Sequence, residues 1–341
     1  MSLQAIITTI QKPTPSVFSL VNKINVIPGS RLVVAGDTKG PENFEGPSAS
    51  PWPVDFLSIG DQESGKFTLA EGLPKKHYAR KNIAYLHAIA AGASCIYETD
   101  DDNAPLESWV PRQEILSSGR VVKREGERWV NVYRYFSEEN IWPRGLPLDE
   151  IRRGIPATAD LKSPCKAPIQ QGLVNGSADV DAIWRLVMDR EFFFENRESV
   201  YLEPGNWCPF NTQSTWWWPI VYPLLYIPSY CSFRMCDIWK SFVAQRCLWE
   251  LGLGVAFHAP EVYQDRNIHD LTRDFHDEIP GYEKNREICT ILSSSKLIAG
   301  EKSVADNLIR CYEALTERGI FPEEEMALVR CWVSDCNHAT A

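Results

Sequence analysis

Long apolar runs are missing from this sequence. No stretch reaches the roughly 18 uninterrupted apolar residues that a membrane helix needs. The apolar stretch 216–227 is broken by Pro219 and Pro223. The first residues also lack a basic segment followed by a long apolar one, so they do not resemble a secretory signal. We therefore expect a soluble, cytoplasmic protein with no membrane span in this chain.

Zinc-binding patterns and an excess of positive charge are also missing. The ten cysteines include no CxxC pair, and the histidines do not lie at zinc-finger spacing, which argues against a structural zinc site. Cysteines inside apolar runs, such as Cys95 and Cys247, favour buried free thiols. The formal net charge of −10 repels nucleic-acid phosphates, so we expect no nucleic-acid partner.

Apolar segments in the first third of the chain alternate between two periodicities. The β-branched or apolar runs Gln4–Ile10, Arg31–Ala35, Val54–Ile59 and Cys95–Glu98 predict strands. Between the last two, spacings of three and four over Tyr78–Ala91 predict a helix. Strands that alternate with helices predict an α/β fold with a Rossmann-like, mostly parallel sheet flanked by helices. Ligands of such sheets bind beyond the carboxyl ends of the strands.

The rest of the chain is less regular until its last third. Asn103–Pro168 predicts irregular connections, and Gln171–Asp181 predicts a polar loop. A wide apolar face over Asp237–Leu251 predicts a helix, and further helices follow from about residue 283. No internal repeat is present. We expect a sheet-based domain over 1–282 and a helical C-terminal extension over 283–341, packed on that domain.

Three adjacent carboxylates follow the fourth predicted strand. Asp100, Asp101 and Asp102 repel one another unless water or a cation offsets their charge. Carboxylate oxygens suit Mn²⁺ or Mg²⁺, and such a metal would bridge to a nucleotide diphosphate. The alternative is a solvated turn with helix-capping aspartates. The position at the end of an apolar strand favours metal binding.

Five segments around these residues resemble a known family. Ile96–Asn103 (IYETDDDN), preceded by His77–Ile89 (HYARKNIAYLHAI), resembles the STELLO-type glycosyltransferase domain, and more distantly the reversibly glycosylated polypeptides, which are UDP-arabinopyranose mutases. Gly172–Ala182 (GLVNGSADVDA), Pro209–Thr215 (PFNTQST) and Ser232–Trp239 (SFRMCDIW) carry the same resemblance. It implies a GT-A fold with a DxD metal site, in which Asp100 and Asp102 hold the metal and Asp101 lies beside the nucleotide.

The resemblance also suggests nucleotide-binding residues. Thr8 and Thr9, at the end of the first strand, are candidates for contact with the base, although strand residues of this type need no such role. Asp37 is a candidate acceptor for a uracil or ribose group, or else a turn-forming residue. Arg80 and Lys81, at the start of the helix before the metal strand, are candidate diphosphate ligands, with a solvated pair of charges as the alternative.

Four further residues are candidates for the sugar and for catalysis. Of Asp179 and Asp181, we expect one to cap the following helix, and the other either faces the hydroxyls of the donor sugar or belongs to a turn with the neighbouring Gly and Asn. The resemblance implies that Asp237 is the general base, whereas its sequence position alone is also typical of a helix N-cap. Arg234 either binds phosphate or pairs with Asp237.

The third metal ligand has several candidates. His269 and Asp265 lie in a polar stretch after a predicted strand. The mutase relatives have a histidine where this chain has Gln264.

Together these features predict a metal-dependent glycosyltransferase. Its donor would be a nucleoside-diphosphate sugar, with UDP as the expected nucleotide. Its acceptor would be a glycan, a protein or a small molecule. Two alternatives remain: a sugar-nucleotide mutase, which needs no acceptor, and a non-catalytic scaffold that retains the fold.

Overall fold

The computed structural model describes residues 2–47, 51–265 and 270–340. In these ranges the strands are β1 (Leu3–Thr9), β2 (Arg31–Gly36), β3 (Val54–Leu57), β4 (Cys95–Thr99), β5 (Asn103–Pro105), β6 (Ile115–Leu116), β7 (Arg120–Val122), β8 (Arg128–Trp129), β9 (Ala159–Asp160), β10 (Cys165–Lys166), β11 (Ile169–Gly176), β12 (Val200–Leu202), β13 (Asn206–Trp207), β14 (Ser214–Trp217) and β15 (Val255–Gln264). The α-helices are α1 (Pro15–Asn25), α2 (Ile59–Glu63), α3 (Leu69–Gly72), α4 (Lys81–Ala90), α5 (Ala182–Met188), α6 (Cys236–Trp249), α7 (Leu271–Ser294), α8 (Val304–Glu317) and α9 (Glu323–Thr340). Short 3₁₀ helices cover Tyr78–Arg80, Val132–Tyr135, Leu148–Glu150, Pro219–Leu225 and Glu301–Ser303.

The first four strands form a parallel sheet in the order β3-β2-β1-β4. Alternate residues of each strand enter the apolar cores on its two faces. Ile6 and Val33 pack in the cluster that contains α4, and Ile7 and Val34 pack in the cluster that contains α1. Burial on both faces explains why these strands are uninterrupted apolar runs in the sequence.

The second part of the sheet is mixed. β14 lies between β4 and β11 and is antiparallel to both, whereas β11 is parallel to β15. β12, β7 and β9 continue the sheet beyond β15, and β5 pairs with β15 at its end. The predicted α/β fold is confirmed: a large Rossmann-like sheet flanked by helices, with a helical region at the C-terminal end.

The C-terminal helices pack against one another and against the sheet domain. α8 contacts α6 and α9, and α9 contacts α4. α7 runs through residues 282 and 283, so the division proposed at that point passes inside one helix and stays a prediction. Within the described ranges, no helix is both long enough and apolar enough to cross a membrane.

The predicted polar loop over Gln171–Asp181 is wrong in its first half, where strand β11 runs to Gly176. Its glutamines are buried and make hydrogen bonds, which allows polar residues inside the sheet. Gln170 donates to the Ala167 carbonyl oxygen at 2.9 Å, and Gln171 donates to Asn211. The strand therefore lacks the apolar pattern by which β1 and β2 were predicted.

Candidate functional site

A cleft of about 460 Å³ lies at the carboxyl ends of β1, β2, β4, β11 and β15. The predicted site residues that line it are Thr8, Thr9, Asp37, Asp100, Asp101, Asp102, Asp179, Arg234 and Asp237. Lining residues that the sequence analysis did not single out include Lys39, Lys76, Tyr78, Arg144, Arg185 and Phe233. The parallel strands thus bring together residues from five distant parts of the chain, as such a topology requires.

Asp100 is held from the side of the protein core. Its Oδ1 accepts hydrogen bonds from the Tyr78 hydroxyl at 2.6 Å and from Lys81 Nζ at 3.0 Å. Lys81 is fully buried and also donates to the Thr99 carbonyl oxygen at 2.6 Å. Lys81 therefore orients Asp100 from the core side, while the carboxylate remains partly exposed to the cleft.

The other two carboxylates bond to different strands. Asp101 accepts a hydrogen bond from the Thr9 hydroxyl, and Asp102 Oδ2 accepts one from Gln264 Nε2 at 3.0 Å. Burial raises the pKa of Asp101. Burial, together with the charges of Asp100 and Asp101, raises the pKa of Asp102 to about 7. These raised pKa values mean that this part of the cleft is short of positive charge.

A cation would remove that shortage, and Asp100 and Asp102 supply oxygen ligands of the kind that Mn²⁺ and Mg²⁺ take. Among the described residues, however, no group of three or more His, Cys, Asp or Glu side chains is arranged to hold a metal ion. The remaining ligands would have to be substrate oxygens and water. Of the predicted third ligands, His269 lies outside the described residues, and Asp265 is exposed and does not line the cleft.

Arg80 is not brought into the cleft. Its guanidinium is buried, with Nε donating to Gln62 Oε1 at 2.8 Å and Nη1 to the Ala70 carbonyl oxygen at 2.9 Å. These bonds point the side chain of Arg80 into the core. Among the described residues, Lys39 and Lys76 are exposed cations that line this end of the cleft.

Asp37 anchors the loop that precedes α4. Its carboxylate accepts backbone hydrogen bonds from Thr38 at 2.6 Å, Lys76 at 2.8 Å and His77 at 2.9 Å. Burial opposes ionisation, but these bonds outweigh it and lower the pKa of Asp37. This geometry matches the turn-forming alternative, and the carboxylate also lines the cleft. At the same edge, the Thr8 hydroxyl donates to the Ala35 carbonyl oxygen at 2.9 Å.

Arg144 binds two carboxylates at once. It donates to Asp179 through Nε at 2.8 Å and Nη2 at 3.0 Å, and to Asp237 through Nη1 at 2.9 Å and Nη2 at 2.8 Å. Burial disfavours its charge, but the two carboxylates prevail and hold the pKa of Arg144 well above its ordinary value. Burial likewise opposes ionisation of Asp179, yet Arg144 lowers its pKa. The three side chains form a rigid charged cluster in the wall of the cleft.

The structure separates the roles of Asp179 and Asp181. Asp181 is the N-cap of α5 and accepts from the Trp184 backbone N–H at 2.9 Å, so the expectation that one of the pair caps this helix is confirmed. Its other oxygen accepts from Trp142 Nε1 at 2.7 Å. Asp181 does not line the cleft, whereas Asp179 does.

Neither structural alternative proposed for Asp237 and Arg234 is found. Asp237 lies in the first turn of α6, and Met235 is the N-cap. Arg234 pairs with the buried Glu278, with Nη2 at 2.8 Å from Oε1. Asp237 pairs with Arg144, which the sequence analysis missed.

A glycine explains how Arg144 reaches this cluster. Gly145 has a φ of +92°, and a Cβ there would lie 2.5 Å from Ile238 Cγ2 on α6. Only glycine combines this backbone conformation with such a close approach. The sequence feature that could have indicated Arg144 was therefore the Arg-Gly pair within an otherwise irregular segment.

Fold and cleft together define a class, namely a Rossmann-like α/β domain whose cleft lies where such sheets bind nucleotides.

A family model described as STELLO glycosyltransferases matches residues 234–340, which contain Asp237 and the C-terminal helices but not the acidic triplet. The chain is similar to "Probable glycosyltransferase STELLO2" and "Probable glycosyltransferase STELLO1" of Arabidopsis thaliana, at 25% identity over 357 aligned positions in each case. Each alignment covers 97% of this chain and 44% of the relative, so the chain spans less than half the length of these relatives. The predicted resemblance to a STELLO-type glycosyltransferase domain is confirmed.

Proposed function

We propose that this chain is a metal-dependent glycosyltransferase domain of the GT-A type that uses a nucleoside-diphosphate sugar, with UDP as the nucleotide. The observation that carries the proposal is that one cleft holds both the acidic triplet Asp100–Asp102 and the Arg144–Asp179–Asp237 cluster. The first suits a metal-bound diphosphate, and the second suits a polar sugar and an acceptor hydroxyl.

The donor is expected to lie along the ends of β1, β2 and β4. Thr8 and Asp37 border the place of the base and ribose, and Lys39 and Lys76 supply exposed positive charge for the phosphates. Asp100 and Asp102 would hold Mn²⁺ or Mg²⁺. When bound, the metal offsets the negative charge of the leaving nucleotide.

Asp237 would receive the acceptor. Its Oδ1 accepts from Arg144 and from the Ile238 backbone N–H at 2.9 Å, whereas Oδ2 accepts only from Arg144 among the described residues. A lone pair of Oδ2 is thus available for a hydroxyl hydrogen. Arg144 fixes the direction of that lone pair, which is the geometric condition for a general base.

Calorimetric titration of UDP tests the donor site. In Mn²⁺ the protein should bind UDP at least about tenfold more tightly than in EDTA, because the metal links two anionic partners. Asp102→Asn should bind UDP weakly in both conditions. Its melting temperature should not fall, since burial and the neighbouring carboxylates already disfavour the ionised Asp102. Asp306→Asn, at an exposed position on α8, is the matched control. Equal affinity with and without EDTA in the unmodified protein would contradict the proposal.

A further inference from the structure

An exposed aromatic ring lines the cleft. Phe233 is 57% exposed and precedes Asp237 by four residues. A large apolar side chain that stays open to water gains little burial on folding, so beside a ligand cleft its area is available to pack against a ligand.

The ring and its backbone are held in place. The Phe233 and Tyr78 rings meet edge to face, with centroids 5.8 Å apart and planes at 81°. The Tyr78 hydroxyl in turn donates to Asp100 at 2.6 Å. The Phe233 carbonyl oxygen accepts from Cys236 Sγ at 3.1 Å, and the neighbouring Ser232 hydroxyl donates to the Asp277 carbonyl oxygen. Phe233 is therefore a fixed surface beside the acidic triplet.

The surroundings of Phe233 favour an uncharged, ring-shaped ligand. Among the described residues, the nearby cations Arg144 and Arg234 are already paired, the first with two carboxylates and the second with Glu278. An anionic ligand would have to break one of these ion pairs or compete with the donor phosphates for Lys39 and Lys76. A pyranose ring has an apolar C–H face that packs on an aromatic ring, and a rim of hydroxyls that carboxylates such as Asp237 can accept from.

We propose that Phe233 is the stacking residue of an acceptor subsite, and that the acceptor is an uncharged saccharide. This inference rests on the proposed function, which assigns the donor to the ends of β1, β2 and β4. Phe233 lies in the segment that leads into α6 and Asp237, and its ring contacts Tyr78, which holds Asp100. A saccharide packed on this ring would have its hydroxyls beside the carboxylate proposed as the general base.

Three variants test the proposal. Phe233→Ala removes the ring, Phe233→Trp retains an aromatic face, and Phe193→Ala removes a phenylalanine of similar exposure, 59%, that does not line the cleft. Saturation-transfer NMR is used to titrate methyl glucoside, methyl galactoside, methyl xyloside and cellobiose, with and without UDP and the diamagnetic Mg²⁺. Calorimetry in Mn²⁺ measures UDP and UDP-glucose.

At least one of these saccharides should bind the unmodified protein, and Phe233→Ala should weaken it by about fivefold or more. Phe233→Trp and Phe193→Ala should bind it as the unmodified protein does. Affinities for UDP and UDP-glucose should change by less than about twofold in all variants, and melting temperatures should match.

The inference is overturned if none of the four saccharides binds, or if Phe233→Ala binds them unchanged. It is also overturned if the loss is confined to UDP-glucose, because the ring would then face the donor sugar. Failure of the unmodified protein to bind UDP would contradict the proposed function. The saccharide titrations without UDP separate the two failures.

Discussion

Asp237 combines a fixed orientation, set by Arg144, with an open lone pair on Oδ2. Asp237→Asn keeps the shape of the side chain and removes its basicity. We expect UDP affinity in Mn²⁺ to change little and sugar transfer to slow by about 10²–10⁴-fold, the usual effect of losing a positioned base. Transfer to the saccharide that binds best, measured by UDP release, is the assay, with Asp306→Asn as the control.

The same assay separates the alternatives. A mutase would interconvert the pyranose and furanose forms of its donor with no acceptor present, and a scaffold would release no UDP in any variant. If Asp237→Asn transfers at the unmodified rate, the base lies elsewhere.

Asp37 makes stability depend on pH. Because its backbone hydrogen bonds lower its pKa in the folded protein, its contribution is present above the ordinary aspartate value of about 4 and is lost as pH falls through the lower folded value. Asp37→Asn should therefore lose about 1–3 kcal/mol of unfolding free energy at pH 7. Urea unfolding from pH 3 to pH 7 should show this difference shrinking below pH 4. If the difference in unfolding free energy between the two proteins does not change with pH, the charge of Asp37 does not contribute to stability.

At this scale the sequence predicted the carboxylates better than their partners. Asp100–Asp102 and Asp237 were located because they adjoin regular elements or a family motif. Arg144 was missed because it comes from an irregular segment whose course depends on the contact of Gly145 with α6. Lys81 was predicted as a diphosphate ligand, but it is fully buried, does not line the cleft and donates to Asp100 instead.

Between elements, a buried ion pair joins β4 to α6. Glu98, two residues before Asp100, accepts from Lys240 Nζ at 2.7 Å and from Trp217 Nε1 at 2.7 Å. Lys240 lies one helical turn after Asp237, and both members of the pair are fully buried. The pair therefore ties the strand of the acidic triplet to the helix of the proposed base.

A double-mutant cycle measures this link. Lys240→Met should cost about 3–5 kcal/mol, because it leaves the buried Glu98 without a counter-charge. Glu98→Gln combined with Lys240→Met should cost clearly less than the sum of the single changes. Urea unfolding gives the energies. Additive losses would mean that the two side chains contribute independently.

Strands and helices were predicted correctly where their side chains pack against apolar neighbours. β1, β2 and α4 carry apolar patterns because their neighbours are apolar. β11 carries glutamines, an asparagine and glycines, since its side chains bond to residues that are distant in sequence. No local pattern shows such partners in advance.

Across the whole molecule, α9 binds two separate parts of the sheet domain. Glu325 accepts from the Ser229 and Tyr230 backbone N–H groups at 3.0 and 2.7 Å, and Asp335 accepts from the Leu69 backbone N–H at 2.8 Å. These carboxylates are buried, so the bonds are shielded from water. The last helix is thus part of the structure that supports the cleft.

Glu325→Ala should therefore weaken the whole molecule. Each of the two backbone donors left unsatisfied should cost about 1–3 kcal/mol of unfolding free energy. Tryptophan fluorescence and far-ultraviolet circular dichroism should report one shared unfolding transition, shifted to lower urea. Two separate transitions would instead show that the units predicted over 1–282 and 283–341 unfold independently.

The position of β14 also determines when the sheet can be completed during synthesis. The parallel strands β1 to β4 leave the ribosome before β14, which pairs with the outer edge of β4. The hydrogen-bonded Thr99 and Gln213 are 114 residues apart. At cellular translation rates that interval is on the order of ten seconds. Throughout it, an apolar strand edge is open to pairing with other nascent chains. A chaperone that covers this edge should raise the yield of folded protein.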